Sequence, residues 1–65
     1  MNTRKDFGQR IVAIRNEKNI TQEQLAEKAD VTRNNISRIE NGKYNPGLDI
    51  LLRIGDALES DLLYK

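Results

Sequence analysis

Arg33, Asn34, Ser37 and Arg38 are the side chains whose types and spacing best suit recognition chemistry. At 100° per residue they fan across one side of a helix, opposite Ile36 and Ile39, with Asn35 at the margin and Glu40 toward the apolar flank. The chemistry they offer is hydrogen bonding, not bond making. An arginine can bond both major-groove acceptors of guanine, an asparagine can pair bidentately with adenine, and a serine can serve either base. The competing reading is a polar, solvated face of the kind most surface helices carry.

A repeated local pattern positions that face. Ile20-Thr21-Gln22-Glu23-Gln24-Leu25 and Val31-Thr32-Arg33-Asn34-Asn35-Ile36 each place an aliphatic, a threonine, three polar residues and a second aliphatic in order. A threonine hydroxyl caps a helix by accepting a bond from an orphan N–H of the first turn. The flanking aliphatics can pack on each other as a hydrophobic staple, and Gln24 completes a capping box in the first copy. Two helix starts this close leave room for one short helix, a tight turn and a second helix.

The periodicity predicts four helices. The first runs from about Arg4 to Lys18, with Phe7, Ile11 and Ile14 as its apolar stripe. Gly8 costs it some helical propensity, and Asn19 is a plausible stop. The second spans about Gln22 to Ala29, with Leu25, Ala26 and Ala29 inward. The third spans about Arg33 to Asn41 and ends at Gly42, which adopts left-handed geometry cheaply. A loop over Lys43–Gly47 includes Pro46, which keeps Asn45 out of helical geometry. The fourth begins near Leu48 and runs to about Glu59. Leu48, Leu51, Leu52, Gly55 and Leu58 form one face, and Ile50, Ile54 and Ala57 form part of another. That band is too wide for one core contact, so the helix is either deeply buried or turns one flank toward a second subunit. Ser60–Lys65 could add a short last turn. No strand pattern, linker or low-complexity tract is visible.

Composition narrows the function. The chain has 65 residues, enough for a single small domain with a thin core. It has no cysteine and no histidine, which removes disulfides, thiolate metal sites, the commonest zinc ligand and the commonest general base. The serines Ser37 and Ser60 lack a histidine to activate them, and the four glycines form no phosphate-binding loop. An enzyme, a cofactor and a bound metal are therefore not expected. No apolar run spans a membrane and no signal-peptide core is present, so a cytoplasmic protein is expected.

The net charge of +1 says little, but its distribution says more. Residues 1–19 set Arg4, Lys5, Arg10, Arg15 and Lys18 against Asp6 and Glu17, a local +3. Residues 31–45 set Arg33, Arg38 and Lys43 against Glu40, a local +2, while residues 20–30 and 46–65 each carry −2. A polyanion would meet one side of the molecule; chance scatter of solvated charges is the bland alternative. Phosphate contacts are expected from the N-terminus of the second helix, with Gln22, and from the Gly42–Asn45 loop with its N–H groups, Lys43 and Tyr44. Tyr44 has a second reading, as a ring that covers the core.

These residues carry a family resemblance. Gln22, Leu25, Ala26, Lys28 and Ala29, then Val31-Thr32, then Ile36-Ser37, Ile39-Glu40-Asn41-Gly42-Lys43 and Asn45-Pro46, resemble the Xre-like helix-turn-helix regulators, which include lambda-like repressors, Cro proteins and restriction–modification controller proteins. The likeness covers about residues 5–58. It implies an all-α, compact bundle of four to five helices, lambda repressor-like, forming one DNA-binding domain over 1–65 with its motif at about 21–42. It implies that the third helix lies in the major groove, with base-reading positions on Arg33, Asn34, Ser37 and Arg38. Phosphate contacts are implied at Gln22, Lys43, Tyr44 and Asn45, and sometimes Thr32. It also implies a structural ion pair between Arg15 and Glu40. The chain departs from the pattern at Asp30, where glycine is common, at Gly47, where a serine or threonine often caps, and at Glu59-Ser60-Asp61, which shortens the way to a fifth helix.

The resulting expectation is a sequence-specific DNA-binding transcriptional regulator, a repressor or activator. It would bind double-stranded DNA as a homodimer on a palindromic operator, with no membrane partner. The alternative is an antitoxin or coactivator-type protein-interaction module that docks through the wide apolar face of the fourth helix.

Overall fold

The computed structural model describes residues 4–59, and within them the chain forms four α-helices and no strand: α1 (Arg4–Glu17), α2 (Gln22–Ala29), α3 (Arg33–Glu40) and α4 (Leu48–Leu58). The last turn expected over 60–65, and any fifth helix, lie outside the described residues. No helix among them is long and apolar enough to cross a membrane.

Helices as short as α2 and α3, eight residues each, are marginal in isolation and depend on their ends and on packing. Their starts are built as the repeated pattern predicts. Thr21 Oγ1 accepts from the Gln24 N–H at 3.0 Å, and Gln24 Oε1 accepts from the Thr21 N–H at 2.9 Å, a complete capping box. Thr32 Oγ1 accepts from the Asn35 N–H at 3.1 Å. The staple residues Ile20 and Val31 pack against the core that holds Leu25 and Ile36. Gly47 starts α4 with extended backbone and no side-chain cap.

The helix stops share one device. After α1, α2 and α3 the chain takes one left-handed residue, Asn19, Asp30 or Gly42, with φ of 58°, 58° and 72°. Two N–H groups then fold back on orphan carbonyls: Asn19 to Asn16 and Ile20 to Arg15, Asp30 to Glu27 and Val31 to Ala26, Gly42 to Ile39 and Lys43 to Arg38. This is the Schellman arrangement. Aspartate at position 30 thus fills the place where glycine is common, accepting some left-handed strain.

The core is formed by Ile11 of α1, Leu25, Ala26 and Ala29 of α2, Ile36 and Ile39 of α3, and Ile54 and Leu58 of α4. α2 packs on both α3 and α4, and α1 packs on α3. The α1–α3 crossing depends on Gly8. A Cβ there would lie 2.4 Å from the carbonyl oxygens of both Ile39 and Glu40. What the sequence shows as a helix-weakening glycine is the contact that lets two backbones touch.

α4 resolves the ambiguity of its wide apolar band. Ile54 and Leu58 are fully buried, with Ile50 and Ala57 packed beside them, so Leu58 falls on the Ile54 side and not with Leu48 and Leu52 as its sequence grouping implies. The opposite flank is left out: Leu48 is 61% exposed and Leu52 is 51% exposed. Arg53 then ties α4 to the end of α2. Its Nε donates to the Ala29 carbonyl at 3.0 Å, its Nη2 donates to the Asp30 carbonyl, and its Nη1 pairs with Asp49 at 3.2 Å. A cation at a helix C-terminus satisfies orphan carbonyls and favours the helix dipole. Arg53→Met, which keeps the apolar stem, is expected to cost about 1 kcal/mol. In a domain this small that lowers the Tm by on the order of 4–8 °C. An unchanged melting curve would show that these bonds contribute nothing net.

Candidate nucleic-acid interface

α3 separates two jobs around its circumference. Ile36 and Ile39 are buried, as is Glu40, which is only 7% exposed. Arg33, Asn34 and Arg38 are exposed on the other side, and Ser37 and Asn35 sit half-buried at the margins. The predicted reading residues are therefore brought to one surface, with Ser37 at its edge. The sole acid of α3 is turned away from that surface, so the surface presents donors and positive charge.

Glu40 is held by a network reaching three helices. Arg15 Nε donates to Glu40 Oε2 at 2.8 Å and Arg15 Nη2 donates to Oε1 at 3.2 Å, a bidentate pair. Arg15 Nη1 donates to the Ile20 carbonyl at 3.0 Å, at the entry to α2. Gln22 Nε2 donates to Glu40 Oε1 at 2.8 Å. The side chains of Arg15 and Glu40 are 14% and 4% exposed, and among the described residues no buried side-chain nitrogen or oxygen lacks a partner. The expected ion pair is present. Gln22 has a role that the sequence did not reveal: its amide reaches inward and locks the first residue of α2 to the last residue of α3.

The remaining candidates lie around the exposed face of α3. Thr21, Gln22, Glu23 and Arg33 line one open depression, which places Arg33 beside the N-terminus of α2. The first N–H groups of that helix have no helical acceptor, and the dipole there favours anions. Thr32 is exposed, but its hydroxyl oxygen serves as the α3 cap. Lys43 and Asn45 are exposed on the loop after α3. Tyr44 is half-buried against the core, and the Arg38 guanidinium lies 5.5 Å from its ring centroid. Tyr44 thus covers the core, as one of its two readings has it, and its ring also lies beside Arg38. Gly8, Arg53 and the inward turn of Gln22 carried no local signal, because each acts on a partner more than ten residues away.

The molecule's relatives agree with this geometry. A family model described as helix-turn-helix matches residues 11–65. The immunity repressor protein of Bacillus phage phi105 is 51% identical over 51 residues, which is 78% of this chain and 35% of that protein. An HTH-type transcriptional regulator of Methanothermobacter thermautotrophicus is 48% identical over 44 residues, 68% of this chain and 64% of that protein. The chain thus spans about a third of the phage repressor and just under two thirds of the archaeal regulator. Among solved structures, the restriction-modification controller protein C.AhdI from Aeromonas hydrophila superposes with a TM-score of 0.89 at 30% identity, covering 92% of this chain and 91% of that one. With the capped helix pair and the match over most of its length, the chain belongs to the helix-turn-helix family, in its Xre-like, Cro-like branch.

Proposed function

We propose that the chain is a cytoplasmic, sequence-specific DNA-binding transcriptional regulator that places α3 in the major groove and acts as a homodimer on a palindromic operator. The observation that carries this reading is the surface of α3: Arg33, Asn34 and Arg38 stand exposed while Glu40 is buried and paired. Such a surface matches base edges and repels nothing in a polyanion. In this reading Arg33, Asn34, Ser37 and Arg38 read bases, while Thr32, Lys43, Asn45 and the N-terminus of α2, which Gln22 opens, contact phosphates and set the register. A relative named as a repressor and another named as a transcriptional regulator support the same reading.

In this reading the exposed Leu48 and Leu52 meet a second copy of the chain. In that dimer the two reading helices would sit about 34 Å apart, one turn of DNA. The same leucines also serve the rival reading, an antitoxin or coactivator-type module that docks a different protein there. Selection of bound DNA from a random library separates the two. A palindrome with half-sites about 10 base pairs apart supports the dimeric regulator. Enrichment of nothing, at low and at moderate salt, supports the module. Once an operator is known, Arg33→Ala is expected to cost about 1–3 kcal/mol and to relax preference at one position. Lys43→Ala is expected to weaken all sequences alike and to reduce the salt slope by about one. Equal loss on all sequences from Arg33→Ala would remove Arg33 from the base-reading set.

A further inference from the structure

We propose that Tyr44 is a specificity-positioning residue: its ring holds the Arg38 guanidinium in a fixed attitude, so that discrimination at the base pair Arg38 reads depends on the ring and not on the phenol. The inference rests on the base-reading role proposed for Arg38 and departs from the expectation that Tyr44 contacts phosphate. Arg38 lies in the last turn of α3, and Tyr44 follows on the loop; the guanidinium is 5.5 Å from the ring centroid. The ring is itself anchored, half-buried against the hydrophobic core. The Schellman turn at Gly42 brings it back, because the Lys43 N–H donates to the Arg38 carbonyl at 2.8 Å. The loop that carries the ring is thus hydrogen-bonded to the residue that the ring orients.

The geometry of a guanidinium explains why the contact helps recognition. Its attraction to an aromatic ring uses the cation's charge and planar face, while its N–H donors lie in the plane and point outward from the edge. Among the described residues the Arg38 side chain has no hydrogen-bond or ion-pair partner, so those donors remain available. An unrestrained arginine must lose its rotamer freedom on binding, whereas one already resting on a ring loses less. Arg33, exposed at the other end of α3, has no ring contact among the described residues. The two arginines therefore differ in kind: one is held in advance and one is ordered by the DNA.

The test uses the full chain and the operator enriched by wild type, with Tyr44→Phe, Tyr44→Leu, Arg38→Ala and the Tyr44→Leu/Arg38→Ala double variant. Each is measured by titration on the operator, on its single-base variants and on unrelated DNA, below the Tm found for that variant. Tyr44→Phe is expected to match wild type on every sequence. Tyr44→Leu is expected to lose about two- to fivefold on the operator, with the loss confined to discrimination at one base pair of each half-site. In the Arg38→Ala background the same change should have no effect. A uniform loss from Tyr44→Phe on all DNA overturns the proposal, because the phenol would then be a phosphate ligand. So does a Tyr44→Leu loss that persists without Arg38, because the ring would then act only through the fold. If wild type selects an operator and Tyr44→Leu keeps full discrimination, the inference fails alone; if wild type enriches no sequence, the regulator reading fails and takes the inference with it.

Discussion

Replacing Glu40 by alanine is expected to remove about 3–5 kcal/mol of folding stability, read by urea denaturation followed with far-ultraviolet circular dichroism. The magnitude follows from what is left behind. Arg15 would keep only its bond to the Ile20 carbonyl, with a side chain 14% exposed, and Gln22 would lose its acceptor. A buried cation without its partner costs more than the pair ever contributed. Small domains hold about 5–15 kcal/mol in total, and one of this size sits toward the low end, so much of the population would unfold near body temperature. The double variant Arg15→Met/Glu40→Leu separates charge from shape. It removes both ions and fills the space, and it should recover most of the loss. A Glu40→Ala cost below about 1 kcal/mol would mean that the pair behaves like an exposed one.

Gly8→Ala is the second large effect, and here two principles disagree on sign. Helix propensity favours alanine over glycine by about 1 kcal/mol inside a helix. Packing opposes it: the new Cβ would stand 2.4 Å from two carbonyl oxygens and 2.7 Å from the Glu40 carbonyl carbon. Those atoms are backbone, so no side-chain rotation relieves the overlap, and α1 must move off α3. Overpacking of this kind costs typically about 1–3 kcal/mol; with two backbone carbonyls in the way the upper end applies, and after the gain in propensity we expect a net loss of about 2 kcal/mol. Gly47→Ala is the control. A Cβ there meets nothing within 4 Å, so its effect should stay within about 1 kcal/mol, set by capping preference alone. Stabilisation by Gly8→Ala would show that the α1–α3 crossing can open without cost.

These two sites also mark what was legible in the sequence. Everything governed by a few adjacent residues was readable. Thr21 with Gln24 and Thr32 with Asn35 announce the starts of α2 and α3, and Gly42 announces a stop. The third helix was expected to reach Asn41; it ends one residue earlier, at Glu40, with Asn41 at its C-cap. The exposed face of α3 was legible for the same reason, since the positions of Ile36 and Ile39 on a helix oblige Arg33, Asn34 and Arg38 to face away. The Arg15–Glu40 pair was not derivable from spacing; it came from the family likeness, and its geometry is that of a bidentate pair. Contacts between distant segments had no local signal at all. Gly8 reads as a defect until α3 is laid across it, Arg53 reads as a surface charge until its bonds to Ala29 and Asp30 are seen, and nothing near Gln22 in the sequence announces the bond of its amide to Glu40. α4 was ambiguous because apolar residues wrap around most of it; packing divides the face expected from Leu48 to Leu58, burying Leu58 with Ile54 and leaving Leu48 and Leu52 exposed.

One helix of eight residues, anchored by Ile36, Ile39 and Glu40 and presenting Arg33, Asn34 and Arg38, has an evolutionary corollary. The residues that keep it in place and those exposed to the outside do not overlap. If α3 reads DNA as proposed, copies of such a gene can drift toward new targets through substitutions that the interior never registers, and diverged paralogues should vary most at these outward positions.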